Sequence, residues 1–196
     1  MIKAIIFDCF GVLYPNASGN YFKRHRDLFD NDSAYLDKLN LQIDLGQITR
    51  AEFFARLEEE IGIPADQIQT EIDQELIANS QLVELIKKLQ KTYKIGLLSN
   101  AGQEEIAIIH RDNIDNLFNA VTISYETGRV KPSREIYLIC AERLGVKPNE
   151  CLFVDDNIVN IEAARNLNMD TILYKDFEDF SRELNGFKLS ISGSQN

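Results

Sequence analysis

Short apolar runs alternate along much of the chain with segments whose apolar residues recur at helical spacing. The apolar runs are bounded by polar or glycine-containing turns, which is typical of buried strands in a parallel sheet. The pattern predicts strands at 2–7, 93–98, 120–123, 151–154 and 171–174, and helices at 82–89, 104–110, 133–144 and 158–167. Regular alternation of strand and helix favours right-handed crossovers. We therefore predict an α/β fold, a Rossmann-like parallel sheet of about five strands with helices on both faces.

The segment 15–80 has a different pattern, because nearly all of its apolar residues recur three or four positions apart. Thr49 is followed three residues later by Glu52, the spacing of a capping box, and Pro64 is typical of a helix start. We predict about four short helices inserted directly after the first strand. The chain would then divide into a core of residues 1–14 and 81–196 and a helical domain of residues 15–80. The tail 190–196 is predicted to be frayed.

Polar side chains capable of chemistry follow the predicted strands. Asp8 ends the first apolar run and Gly11 marks a turn after it; Ser99 and Asn100 follow the second run. Lys131 lies in the loop before a helix, and the fourth run ends at the pair Asp155 and Asp156. The carboxyl ends of parallel strands meet at one edge of a sheet, where ligands bind. We expect these side chains to converge there.

This set of residue types suits phosphoryl transfer. A carboxylate can accept a phosphoryl group as an aspartyl-phosphate. Two adjacent carboxylates at the end of a buried strand repel each other unless a cation lies between them, and carboxylate oxygens are ligands that Mg²⁺ prefers. A lysine adds positive charge, and a serine hydroxyl can hold a phosphate oxygen.

Composition narrows the range of partners. The chain has 31 acidic and 21 basic residues, a formal net charge of −10, which disfavours nucleic acid and anionic membranes as partners. The sequence has no apolar run of membrane-spanning length and no signal-peptide pattern, so we expect a cytoplasmic protein. Cys9, Cys140 and Cys151 lack metal-site spacing and are expected to be buried. Oligomeric state is not predicted.

The four segments resemble, in order, the four motifs of the haloacid dehalogenase-like superfamily: FDCFGVL, LLSN, VKPS and FVDDNIVNIEAARNLNM. The resemblance implies that residues 15–80 are a cap domain. It also implies an Mg²⁺-dependent phosphomonoester hydrolase that acts on a small phosphorylated metabolite, with sugar phosphates among the candidates. The implied roles are nucleophile for Asp8, charge stabiliser for Lys131, and substrate binding for Ser99, Asn100 and Lys131. The implied metal ligands are Asp8, the backbone carbonyl of Phe10, Asp155 and Asp156.

Phe10 departs from this resemblance. Phosphatases of the superfamily usually have a second Asp at this position, which protonates the leaving group, and general acid–base help is worth about 10² to 10⁴-fold in rate. Haloacid dehalogenases have an aromatic residue here but lack the adjacent metal-binding acids. The alternatives are therefore a metal-independent 2-haloacid dehalogenase that uses Asp8, or a catalytically weakened binding protein. We expect the phosphatase, because Asp155 and Asp156 are both present, with His25 a conceivable replacement proton donor.

Overall fold

A computed structural model describes residues 1–29 and 33–187. A five-stranded parallel sheet forms the centre, with strand order β3-β2-β1-β4-β5. The strands are β1 (Ala4–Phe7), β2 (Lys94–Ser99), β3 (Ala120–Ile123), β4 (Cys151–Asp155) and β5 (Asp170–Leu173). The α/β, Rossmann-like fold class is confirmed.

Helices follow each strand. They are α1 (Ala17–Arg24), α2 (Ser33–Asp44), α3 (Arg50–Ile61), α4 (Ala65–Glu75), α5 (Ser80–Leu89), α6 (Gln103–Ile106), α7 (Ile108–Arg111), α8 (Ser124–Thr127), α9 (Arg134–Arg143), α10 (Ile158–Arg165) and α11 (Phe177–Gly186). Each face of the sheet carries its own hydrophobic cluster, one beneath α5 and α11 and the other beneath α9 and α10. Both faces are thus buried, as continuous apolar strands require.

Strand β1 lies at the centre of the sheet, and the chain builds outward from it in both directions. The chain passes from β1 through β2 to β3 on one side, then returns to add β4 and β5 on the other. The direction of winding therefore reverses between β1 and β4. In open parallel sheets, such a reversal opens a crevice at the carboxyl ends of the two strands.

Helices α1 to α4 pack around a separate hydrophobic cluster that includes Tyr21, Phe53, Leu57 and Ile68. The predicted capping box forms: the Thr49 side chain accepts from the Glu52 N–H, and Glu52 accepts from the Thr49 N–H at 2.7 Å. We call residues 17–75, without 30–32, the helical insertion. Its position between β1 and β2 matches the predicted position of the helical segment.

Some element boundaries differ from the prediction. Helix α1 begins at Ala17, directly after the start of the predicted helical segment, because the Asn16 side chain accepts from the Gly19 N–H and caps the helix. The single helix predicted at 104–110 is two short helices, since the Ala107 N–H bonds three residues back to Glu104. Helix α11 was not predicted. The tail 190–196 lies outside the described residues.

The three cysteines are buried, as expected. Within 1–29 and 33–187, the helices include none whose length and apolar character would let it cross a bilayer.

Candidate active site at the carboxyl edge of the sheet

Strand register places Asp8 and Asp155 side by side. Phe7 pairs with Val154 across β1 and β4, and the Asp8 N–H donates to the Val154 carbonyl at 2.9 Å. The next residue of each strand is therefore an acid at the reversal point of the sheet. Asp156 follows where β4 leaves the sheet.

The three carboxylates meet. Asp8, Asp155 and Asp156 each offer an oxygen, and these oxygens lie within 4.8 Å of one another. Asp8 and Asp155 are buried, whereas Asp156 is exposed. Gly11 makes room for Asp156, since a Cβ atom on Gly11 would lie 2.3 Å from the Asp156 Oδ2.

Lys131 is the cation that binds this cluster. Its Nζ lies 2.6 Å from Asp8 Oδ1 and 2.8 Å from Asp155 Oδ2, and the residue is 5% exposed. Burial alone would lower the pKa of Lys131, but the charges of Asp8 and Asp155 outweigh that effect and raise it. Lys131 is therefore fully protonated and neutralises part of the negative charge.

The remaining charge is not neutralised by protein groups in the cluster. Burial raises the pKa of Asp8, with Asp155 and Asp156 adding to the shift and Lys131 opposing it. Although Asp156 is exposed as a whole residue, partial desolvation of its carboxylate raises its pKa, and the charge of Asp155 adds to that shift. Three carboxylates facing one ammonium group leave a site that favours a further cation, and an all-oxygen donor set fits a hard divalent ion such as Mg²⁺.

Asn160 and Asn157 hold the Asp155 carboxylate in place. Neither residue was among the predicted site residues. The Asn160 Nδ2 donates to both Asp155 oxygens at 3.0 and 3.1 Å, and the Asn157 N–H donates to Oδ1 at 2.8 Å. The Tyr137 hydroxyl donates to the Asn160 carbonyl at 3.1 Å. The sequence does contain a signal for the role of Asn160. This residue lies in the first turn of the helix that follows Asp155 and Asp156, where an amide side chain can reach the end of the strand.

Asn100 contacts the backbone of Lys131 with both ends of its amide. Its Nδ2 donates to the Lys131 carbonyl at 3.0 Å, and its Oδ1 accepts from the Lys131 N–H at 2.7 Å. The side chain thus fixes the loop that carries Lys131. Ser99 is fully buried. Asn100 lines the cavity between the sheet edge and the helical insertion, whereas Ser99 is not among its lining residues.

A cavity of about 710 Å³ lies between the carboxyl edge of the sheet and the helical insertion. Asp8, Lys131, Asp156 and the Phe10 side chain line its sheet end. Phe10 occupies the turn after Asp8, where its ring lies 6.2 Å from that of Tyr14. His25 does not line this cavity; its ring stacks on Tyr21 at 4.3 Å and its Nε2 lies 3.4 Å from Glu71.

The fold is that of an α/β protein with a parallel sheet, and a carboxylate cluster at its strand reversal forms the candidate active site. A family model described as haloacid dehalogenase-like hydrolase matches residues 2–168. The chain therefore belongs to the haloacid dehalogenase-like hydrolase family.

Named relatives cover nearly the whole chain. A protein of Bacillus subtilis named putative phosphatase YhcW is 25% identical over 94% of this chain and 91% of its own length. HAD family enzyme BT-2542 from Bacteroides thetaiotaomicron is 27% identical in sequence to this chain. The crystal structure of its wild-type protein in complex with magnesium and inorganic phosphate matches with a TM-score of 0.73, covering 93% of this chain and 99% of that chain.

An L-2-haloacid dehalogenase from Xanthobacter autotrophicus is a more distant neighbour. Its structure is 24% identical with a TM-score of 0.59, over 97% of this chain and 85% of that chain. At that level the likeness concerns the fold alone.

Proposed function

We propose that this protein is a Mg²⁺-dependent phosphomonoester hydrolase that forms an aspartyl-phosphate on Asp8. The observation that carries the proposal is the meeting of Asp8, Asp155 and Asp156 within 4.8 Å, with Lys131 bonded to two of them. A nucleophilic carboxylate, a cation site and a fixed positive charge then lie at one end of a cavity. The magnesium and phosphate bound to the relative BT-2542 support this assignment.

Asp8 would act as the nucleophile through one carboxylate oxygen. Its Oδ1 accepts from the Cys9 N–H at 2.7 Å and from Lys131 at 2.6 Å, while Oδ2 accepts from no donor among the described residues. Oδ2 attacks phosphorus as the bond from phosphorus to the ester oxygen breaks, and the leaving alkoxide or phenolate takes a proton from water. Water then attacks the phosphorus of the aspartyl-phosphate, and the bond from phosphorus to Oδ2 breaks to restore the Asp8 carboxylate. The hydroxide left by the first step takes the proton of the attacking water, and inorganic phosphate is released.

Asp8, the Phe10 carbonyl, Asp155 and Asp156 would hold Mg²⁺. When bound, the ion offsets the repulsion between the anionic nucleophile and the anionic substrate. Lys131, with its loop fixed by Asn100, stabilises charge on the transferring phosphoryl group. Asn100, which lines the cavity, would complete the phosphate-binding end of the site, whereas the predicted role of Ser99 would need its buried hydroxyl to become accessible to phosphate.

The substrate would be a small phosphorylated metabolite, with sugar phosphates among the candidates. We assign residues 1–14 and 81–196 to the catalytic core and residues 15–80 to a cap that covers the leaving group. The cavity between them supports this division, because both parts contribute to its lining.

The test compares hydrolysis of an aryl phosphate by the wild-type protein and by Asp8→Asn, each with Mg²⁺ and with a chelator. Asp170→Asn, the same chemical change at an exposed strand end, is the control. We expect phosphate release that requires both Asp8 and Mg²⁺ and is unaffected in the control. Saturable binding without turnover would instead identify a binding protein.

A metal-independent 2-haloacid dehalogenase is the second candidate, because Phe10 lines the cavity beside Asp8. The carboxylate cluster disfavours it, since a neutral carbon centre gives no role to a divalent cation. Halide release from 2-haloacids in the presence of a chelator, with no phosphate release from any ester, would reverse this ranking.

A further inference from the structure

Beyond the carboxylate cluster, the cavity wall comes from the helical insertion with its flanking residues and from helices α6 and α7. Aromatic and aliphatic side chains make much of this wall: Phe22, Phe53, Phe54, Ile72 and Leu76. Two amide side chains, Asn16 and Asn40, also face the cavity and offer groups that can bond a hydroxyl. The wall therefore suits a molecule with both apolar faces and hydroxyl groups.

The charged residues of this end are mainly acidic. Asp37, Asp44, Asp73 and Glu104 line the cavity there. The two cations among the described lining residues of this end are Arg50 and Arg111. Four carboxylates and two guanidinium groups line this wall, so these lining residues carry a net negative formal charge.

Both arginines already bind acids. Arg50 pairs with both oxygens of Asp73, and its guanidinium lies 5.0 Å from the centre of the Phe54 ring. Arg111 donates to Asp112 at 2.7 and 3.1 Å and to the Leu76 carbonyl at 2.9 Å. A ligand anion at this end would have to compete with Asp73 for Arg50, in the presence of the other acids. Placing like charges together in this way costs binding free energy.

We propose that the leaving group of the substrate is an uncharged, hydroxyl-bearing alcohol with an apolar face, and that a second phosphate or a carboxylate on the substrate is rejected. The inference rests on the proposed function, because it assumes that phosphate occupies the Asp8 end. The Arg50–Asp73 pair then acts as the specificity determinant, since Asp73 withholds the cation that an anionic tail would need.

Binding of non-hydrolysable phosphonates tests this directly. Their carbon–phosphorus bond survives a phosphatase, so calorimetry with Mg²⁺ reports binding without turnover. The probes are matched pairs of increasing chain length that end either in a hydroxyl or in a carboxylate. We expect the hydroxyl-ended member of the longer pairs to bind about tenfold more tightly, or better.

Two variants examine the role of the ion pair. Asp73→Asn removes the carboxylate charge that pairs with Arg50, and we expect the preference for the hydroxyl tail to shrink about fivefold or more. Arg50→Gln removes the cation, and we expect the preference to grow. Glu75→Gln is the control. Glu75 lies on α4, as Asp73 does, and forms an ion pair with Arg24 at 2.5 Å, but it does not line the cavity. The substitution therefore removes one charge and one ion pair away from the binding site. Thermal unfolding confirms that each variant is folded.

The outcomes separate the two proposals. If neither phosphonate of any pair binds, the phosphate site fails and this inference fails with it. If the phosphonates bind but the carboxylate member binds equally or more tightly, only the leaving-group inference is overturned. An unchanged preference in both Asp73→Asn and Arg50→Gln would remove the ion pair as its cause and likewise overturn the inference.

Discussion

Replacing Gly11 by alanine should damage the proposed metal site although no acidic residue is substituted. Gly11 has a φ of +99°, and an added Cβ would lie 2.3, 2.4 and 2.6 Å from the three atoms of the Asp156 carboxylate group. Ordinary contact begins at 3.4 Å, so the Asp156 carboxylate must retreat by about 1 Å. The substitution therefore acts on both the backbone and the position of one acid.

The two effects have separate magnitudes. A non-glycine residue with positive φ costs about 1–2 kcal/mol of folding stability. Misplacement of a catalytic or ligating group by about 1 Å costs about 10²-fold in activity. We expect Gly11→Ala to lower the free energy of unfolding by about 1–3 kcal/mol and to reduce Mg²⁺-dependent kcat/KM about 10²-fold.

Gly62→Ala is the matched control. Gly62 has a φ of +71° at the end of α3, and among the described residues that are not its neighbours in the chain none has a heavy atom within 4 Å of the added Cβ. Urea unfolding of this variant measures the backbone cost alone, and its Mg²⁺ titration should match that of the wild type. The same two measurements on Gly11→Ala should show a comparable backbone cost and a weakened Mg²⁺ response.

A double-mutant cycle isolates the clash. In the Asp156→Ala background the carboxylate is gone, so Gly11→Ala should cost only the backbone term, and the two substitutions should be non-additive. Equal stability costs of Gly11→Ala in both backgrounds, together with an unchanged Mg²⁺ response, would refute the steric reasoning.

Three further outcomes follow from the site. Asn160→Ala removes two hydrogen bonds to Asp155 and should weaken Mg²⁺ binding about 10 to 100-fold by calorimetry, and wild-type affinity would contradict this. Burial raises the pKa of Asp8, so the metal-free folded state binds more protons than the unfolded chain between about pH 4 and the raised pKa. The free energy of unfolding should therefore fall as pH rises through that window. Urea unfolding in the presence of a chelator measures this change. Since Phe10 cannot donate a proton, aryl and acyl phosphates should have higher kcat than alkyl phosphates, and equal rates would reveal another proton donor.

The strands and the location of the acids could be predicted from the sequence because both follow from periodicity. Buried parallel strands have sequences that are continuous apolar runs, so the residue at the carboxyl end of each strand can be identified without knowing the fold. Asp8 and Asp155 could therefore be assigned to one edge of the sheet before their register was known. Ser99 shows the limit of this reasoning, since the same rule placed it near the cavity but could not tell that its side chain is fully buried.

The supporting contacts follow no such pattern. Asn160 and Asn100 act through hydrogen bonds that span 5 and 31 positions, and neither spacing is periodic in a helix or a strand. Helix α11 was missed although its sequence carries a local signal: Asp176 caps it, and Phe177, Phe180 and Leu184 recur at helical spacing, with Phe180 and Leu184 buried.

The shape of the cavity depends on contacts of still longer range. The Ser124 hydroxyl is fully buried, accepts from the Ala101 N–H at 3.0 Å and donates to the Asp44 carbonyl, 80 positions away. One side chain thus joins the loop after β2, which carries the proposed phosphate-binding residues, to the helical insertion. The Arg50–Asp73 pair similarly joins α3 to α4 across 23 positions. The carboxylate cluster is formed by residues that directly follow strands, so local sequence patterns predict its position. The far end of the cavity is held by residue pairs that only the folded chain brings together. For this reason the sequence indicates phosphoryl transfer, while the Arg50–Asp73 pair on which the proposed selection of the leaving group depends is visible only in the structure.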